Sequence, residues 1–258
     1  MLVMTALTLA AGGVLAADPE AFLAGTSKVC VECDLAGRML RERDLQRAKL
    51  DRADLRNADL AGANLFRATL AGANLKGAKL TKANLNLIDA KGADLSDADL
   101  GESLLYEADF SGANLAGANL RATRLGRARF NAANLTGAVL AGSDLREARL
   151  AGAKLAGTDM RGVTLDGANL RDMDLHGIDF TLSDMVEVNF TDADLKGAQL
   201  AGVNLYGANF HGADLRGANF EGANLENAIL SDTQTDGAKF DAAIMPDGRR
   251  APDGAGAP

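Results

Sequence analysis

An all-β fold, in which the chain winds as a four-sided parallel β-helix, is predicted for most of this 258-residue sequence by three observations. From Leu35 onward a Leu, Phe or Met stands at every residue number divisible by five as far as Met245, with exceptions at Ala90 and Thr235. The residue two places earlier is small, as in Ala53, Ala58, Ala63 and Ala68, the residue between is Asp or Asn, and Gly very often follows two places later. The phenylalanines on the central position (Phe110, Phe130, Phe180, Phe190, Phe210, Phe220, Phe240) all fall on multiples of ten.

Each observation excludes an alternative. Five residues advance an α-helix by about 500°, so successive leucines would spiral around the whole cylinder. In a flat strand, whose side chains alternate, an odd repeat sends successive leucines to opposite faces. A chain that turns once per unit escapes both problems. The small residue and the Leu, two apart, then point inward, the Asp or Asn between them points outward, and Gly serves the corner. A three-sided coil would scatter the phenylalanines over every side. A four-sided coil confines them to two opposite sides and stacks Phe110 on Phe130, Phe190 on Phe210 and Phe220 on Phe240.

In chain order, residues 1–17 are apolar and end in small residues before Asp18 and Pro19. They read as the hydrophobic region and cleavage site of a secretory signal, too short for a comfortable membrane span, although the first basic residue is Lys28. An uncleaved anchor and a cytoplasmic chain with an apolar end are the alternatives. Residues 18–29 read as a cap: Asp18, Pro19 and Glu20 open a short helix that Gly25 stops, with Phe22 and Leu23 laid over the first coil. Residues 30–245 form about 10–11 coils, which at the ~4.8 Å spacing of neighbouring strands make a rod roughly 50 Å long. Residues 246–258, rich in Pro, Gly and Ala, are expected to be a disordered tail.

A net charge of −8 argues against nucleic acid and anionic membrane as partners. Cys30 and Cys33 both fall on inward positions of the first coil and read as buried thiols or a local disulfide. A metal site there would need two more ligands, and the two histidines, His176 and His211, lie far along the rod. Asp54, Asp94, Asp174, Asp194 and Asp214 recur at the outward position and read as a solvated face. No catalytic motif occurs and a filled coil leaves no pocket, so neither an enzyme nor a cofactor is expected.

The outward positions that are not polar are the candidate site. Phe66, Leu87, Leu104 and Tyr106 project from or beside the side that carries Leu65, Leu85 and Leu105, as an apolar partner-binding patch; a bulged loop at Leu87 and Ala90 is the alternative. Arg121, Arg124, Arg127 and Arg129 cluster on one coil, as a receptor for an acidic partner or as scattered surface charge.

Units such as Ala113-Asn114-Leu115-Ala116-Gly117 resemble the pentapeptide-repeat family, and the resemblance runs from Cys33 to Met245. It implies a right-handed quadrilateral β-helix with a side-chain-filled interior. It also implies a structural role for the Cys30-Val31-Glu32-Cys33 start and for the Met245-Pro246-Asp247-Gly248 ending, both of which have counterparts in the family. The function it implies is a non-enzymatic rigid scaffold or protein-interaction rod, here periplasmic or secreted, with an unknown protein partner in the cell envelope. The alternative comes from family members that imitate DNA: a cytoplasmic acidic rod that binds and protects DNA gyrase. Acidity favours that alternative and the export signal opposes it.

Overall fold

The computed structural model describes residues 18–252; residues 1–17, read above as a secretory signal, and the residues beyond 252 lie outside the described residues. The chain forms a right-handed four-sided β-helix. Position 29 pairs with 49, 34 with 54, 39 with 59 and 44 with 64, and parallel pairing at an offset of twenty continues to Asn224 with Ile244. Each side is named below by its first leucine: the Leu35, Leu40, Leu45 and Leu50 faces succeed one another around a coil.

The ladder explains why a five-residue unit suffices. The central residue donates its N–H to the next coil, as Leu55 does to Asn74 at 2.7 Å, and the outward residue donates to the previous coil, as Asp54 does to Cys33 at 2.8 Å. The corner residue also donates forward, as Gly77 does to Ser96 at 2.9 Å, and the small inward residue closes the turn, as Ala58 does onto Leu55 at 3.0 Å. That leaves one amide per unit, at the position after the Leu. The outward Asp or Asn accepts it: Ala61 N–H reaches Asp59 Oδ1 and Arg56 N–H reaches Asp54 Oδ1, each at 3.1 Å. These residues are therefore turn caps as well as a solvated face. Where Leu104 takes the place of an Asx residue, Tyr106 N–H is accepted at 2.8 Å by Asn86, one coil back.

The corner residue has a left-handed backbone, which favours glycine. Leu87 and Leu182 occupy it nonetheless, at φ 60° and 62°, at a cost of about 1 kcal/mol each that the ladder must offset. No bulge accompanies Leu87: its N–H reaches Tyr106 and that of Ala90 reaches Asp109, so the register is unbroken and the bulged-loop alternative fails. Inside, the leucine and phenylalanine ladders are almost wholly buried. Phe110 stacks on Phe130 with centroids 5.3 Å apart, and Phe190 on Phe210 and Phe220 on Phe240 at 5.0 Å, as the four-sided register requires.

At the N-terminal end the helix α1, Pro19–Leu23, is capped by Asp18, whose Oδ1 accepts the N–H groups of Glu20 and Ala21. Phe22 is buried against the first coil and Leu23 packs beside it. Arg43, which stands where later coils have a small inward residue, donates to the Leu23 carbonyl and clamps the helix in place. The other end corrects the expectation of a tail disordered from residue 246. A turn at Gly248 sends the chain back, Ile244 pairs antiparallel with Arg250, and Ala251 donates to Ala243 at 2.8 Å. The last coil has free edge groups, and this returning segment satisfies some of them. Among the described residues no helix is long and apolar enough to cross a membrane.

One coil departs from the ladder. Among the described residues, the N–H groups of Glu147, Gly152, Leu155 and Gly157 make no hydrogen bond to the next coil and that of Asp174 makes none in return, while those of Leu150, Met160, Asn169 and Asp179 are drawn out of good hydrogen-bond geometry. The Leu45 face stays closed, with Leu145 N–H on Thr164 at 2.8 Å and Thr164 N–H on Ser143 at 3.0 Å. On the opposite Leu35 face Lys154 and Asp174 are not even bridge partners, whereas Arg149 still pairs with Asn169 and Asp159 with Asp179. The two coils thus hinge on one face and open toward the other.

Side-chain volume accounts for the opening. Most inward small positions hold Ala, but the lower coil of this pair holds Met173 and Ile178, both buried, under Ala153 and Thr158. A large residue there stretches even its own turn. The closing bond is 3.4 Å at Met173, 3.3 Å at Ile88 and 3.2 Å at Ile178, against 2.8 Å at Ala168 and 3.0 Å at Ala193. Two such residues in succession overfill the coil and push its neighbour away.

Leu135→Asp places an unpaired charge on a ladder of buried leucines and should cost roughly 4 kcal/mol or more, whereas Thr136→Asp, one residue on and exposed, should cost under about 0.5 kcal/mol. Equal losses in chemical denaturation would refute the inward and outward assignment. In native-state hydrogen exchange the amides named across 147–160 should exchange ahead of those in coils on either side, and Met173→Ala with Ile178→Ala should slow them. Unchanged exchange in that double variant would mean that volume is not the cause.

Candidate interaction surface

The interior is filled, so the surface is where this molecule can act, and its sides are set by residue number modulo twenty. Phe66, Leu87, Leu104 and Tyr106 all lie at or beside the corner between the Leu45 and Leu50 faces, as the register predicts. They do not form one continuous apolar patch. Tyr106 is 43% exposed, while Phe66, Leu87 and Leu104 are half-buried between neighbouring coils. Phe66 carries the Arg67 guanidinium 5.2 Å from its ring centre.

Tyr106 is fixed at three points. Its N–H is held by Asn86, its ring lies over Gly126 of the next coil, and its hydroxyl accepts a hydrogen bond from Arg127 Nη1 at 3.2 Å. A Cβ at Gly126 would come within 3.4 Å of the ring. The result is an aromatic side chain whose conformation is set before any partner arrives.

Of the four clustered arginines the corner gathers Arg124, Arg127 and Arg129, and adds Arg146 and Arg149 from the next coil. Arg121 lies elsewhere, beside Ala122, Arg161 and the 82%-exposed Leu182. Several of these charges are already engaged. Arg127 pairs with Glu147 at 2.9 Å, Arg129 with Asp109 at 3.3 Å, and Arg146 with Asp144 at 2.5 Å, a hydrogen bond that holds the Asp144 carboxyl below the usual range. Among the described residues no hydrogen bond or ion pair engages the guanidinium groups of Arg124 and Arg149.

Sequence reasoning missed Tyr206, five coils beyond Tyr106 on the same corner. It is 39% exposed, and its hydroxyl accepts from Asn227 Nδ2 at 2.8 Å, just as Tyr106 accepts from the residue twenty-one positions on. A difference of one hundred in residue number carried that signal. Cys30 and Cys33 are joined as a disulfide, with Cα atoms 5.2 Å apart and both residues buried in the first coil. The histidines are engaged separately, His176 with Asp174 at 2.6 Å and His211 with Ser231 at 2.9 Å.

Comparison with known proteins agrees with the fold. The profile described as Pentapeptide repeats (8 copies) matches in overlapping stretches from residues 30–65 to residues 218–246. Among solved structures the chain is similar to HetL, a pentapeptide repeat protein involved in heterocyst differentiation regulation in the cyanobacterium Nostoc sp. strain PCC 7120. That match has 30% identity over 90% of this chain and 97% of HetL, with a TM-score of 0.36. It is also similar to a pentapeptide repeat protein of the Arabidopsis thaliana thylakoid lumen, at 32% identity over 41% of this chain and 67% of that one, TM-score 0.31. QnrB1, a plasmid-mediated fluoroquinolone resistance protein, matches at 23% identity over 81% of this chain and 90% of its own, TM-score 0.26. No curated protein matches. With the repeat profile running through more than half of its length, the chain belongs to the pentapeptide-repeat family.

Proposed function

We propose that this protein is a non-enzymatic rigid rod that acts in the cell envelope, after export, by docking a protein partner along the corner that carries Phe66, Tyr106 and Tyr206. The observation that carries the reading is Tyr106. An exposed aromatic residue whose backbone, ring and hydroxyl are all fixed offers contact area at little ordering cost, which is how interface hot spots work. Phe66 and Leu104 supply apolar surface near it, and Tyr206 repeats the arrangement farther along. The disulfide in the first coil and the apolar residues 1–17 support an oxidising compartment.

One observation favours a second reading, a cytoplasmic acidic mimic of DNA that binds gyrase. Residues 162–252 contain fifteen Asp and Glu against six Lys and Arg. The middle of the rod counts against it, because residues 121–161 contain eight Lys and Arg against three Asp and Glu and interrupt the negative surface.

Location and surface are tested separately. In fractionated cells the mature chain should begin at Ala17 or Asp18 and stay outside the cytoplasm; an intact cytoplasmic chain would overturn the export reading. A photo-crosslinking residue placed at Tyr106 should give a discrete adduct that the same residue at Thr136 does not. Identical adducts from both positions would remove the corner as the docking surface.

A further inference from the structure

The chemistry at the corner narrows the class of partner, an inference that rests on the docking role proposed for that corner. Two depressions flank it. One, of about 700 Å³, has Leu104, Tyr106 and Gly126 in its lining with Arg124 and Arg146. The other, of about 520 Å³, lies round the corner beside Leu87, Arg129 and Arg149. Arg127 and Glu147 border both and form the ridge between them.

Charge distinguishes the occupant. The acidic groups of the corner are already paired, Asp144 with Arg146, Glu107 and Glu147 both with Arg127, and Asp109 with Arg129 and Lys91. The guanidinium groups with no ion pair of their own are Arg124, which stands near Asp144 in the first depression, and Arg149 in the second. Both belong to residues 121–161, a stretch in which eight Lys and Arg stand against three Asp and Glu. A guanidinium held on a rigid rod beside apolar side chains suits a carboxylate that arrives with an apolar neighbour.

Gly126 supplies the space. Its column along the corner runs Phe66, Asn86, Tyr106, Gly126, Arg146, Asp166, and it is the glycine in that run. Its backbone is not in the left-handed region that would call for glycine. What the missing side chain provides is a floor across which the Tyr106 ring lies, with room beside it. We propose that the corner binds a short acidic peptide segment of a partner protein, an aliphatic or aromatic side chain of that segment set against Leu104 and Tyr106 over Gly126, and its carboxylates on Arg124 and Arg149.

A long polyanion fits less well. It would leave Leu104 and Tyr106 without a counterpart, and toward the C-terminal end it would run onto the acidic surface of residues 162–252. A short peptide stays within the corner and does not reach that surface.

Fluorescence anisotropy on the full chain tests this with a labelled twelve-residue peptide of glutamates around a central leucine, a version with glutamine for glutamate, and heparin as competitor. The glutamate peptide should bind, more weakly as salt rises, and the glutamine peptide should not. Arg124→Glu with Arg149→Glu should weaken binding by about tenfold or more. Arg121→Glu with Lys154→Glu makes the same change of net charge away from the corner and should weaken it far less. Gly126→Gln, which the local backbone tolerates, should weaken binding without changing the circular dichroism spectrum. Equal loss in the two charge-reversal pairs would reduce the effect to bulk charge and overturn the proposal. So would heparin displacing the peptide at equal charge while Gly126→Gln has no effect, or no binding of the glutamate peptide to the wild type. In each of those cases a discrete adduct from position 106 would still uphold the docking corner, so the two ideas fail separately.

Discussion

The hydrogen-bonded ladder at an offset of twenty residues is the interaction on which the rest of this molecule depends. A coil of four units closes on itself only as a spiral, so every backbone group that points along the axis must find its partner one full turn away. The central, corner and outward residues of each unit do this, the small residue closes the turn, and the Asx side chain takes the remaining amide. No unit is stable by itself, since its apolar residues are covered only when coils lie above and below. The end structures arise from the same need. The helix held by Arg43 and the chain that returns to pair Arg250 with Ile244 both serve coils that lack a neighbour.

Such a ladder tolerates little variation in thickness. The coils are spaced by hydrogen bonds, and the interior must fill that spacing with two inward side chains per face. Ala with Leu does so, and a single larger residue such as Ile88 is absorbed by a longer turn bond. Thr158, Met173 and Ile178 on adjoining faces exceed what one spacing accommodates, and the ladder opens where they stack. The opening lies between the basic stretch and the acidic remainder of the rod, so the hinge separates two surfaces of opposite character.

The outside is free of these demands, and it is there that function can vary. The position after the Leu accepts Arg, Thr, Phe, Tyr or Gly with no change of backbone. At the corner of the Leu45 and Leu50 faces that freedom places Tyr106 on Gly126 beside arginines from two coils. The arrangement is rigid because each member is tied to the ladder, and no loop has to be ordered when a partner binds.

The sequence by itself determined the period, the number of sides, the stacking of the phenylalanines and the side on which Phe66, Leu87, Leu104 and Tyr106 lie, because each depends only on position in a strict repeat. It also placed the cysteines together in the first coil. The tertiary structure decided what position does not: that Phe66 and Leu104 are half-covered while Tyr106 is presented, and that Arg127 has ion-pair partners while Arg124 and Arg149 have none. Those outcomes depend on where a side chain leans at a corner and on which residue of the adjoining coil it meets. The open seam was beyond the pattern for a related reason. Met173 and Ile178 obey the inward rule perfectly well, and only the sum of volumes around a closed coil, set against a spacing fixed by hydrogen bonds, shows that they do not fit.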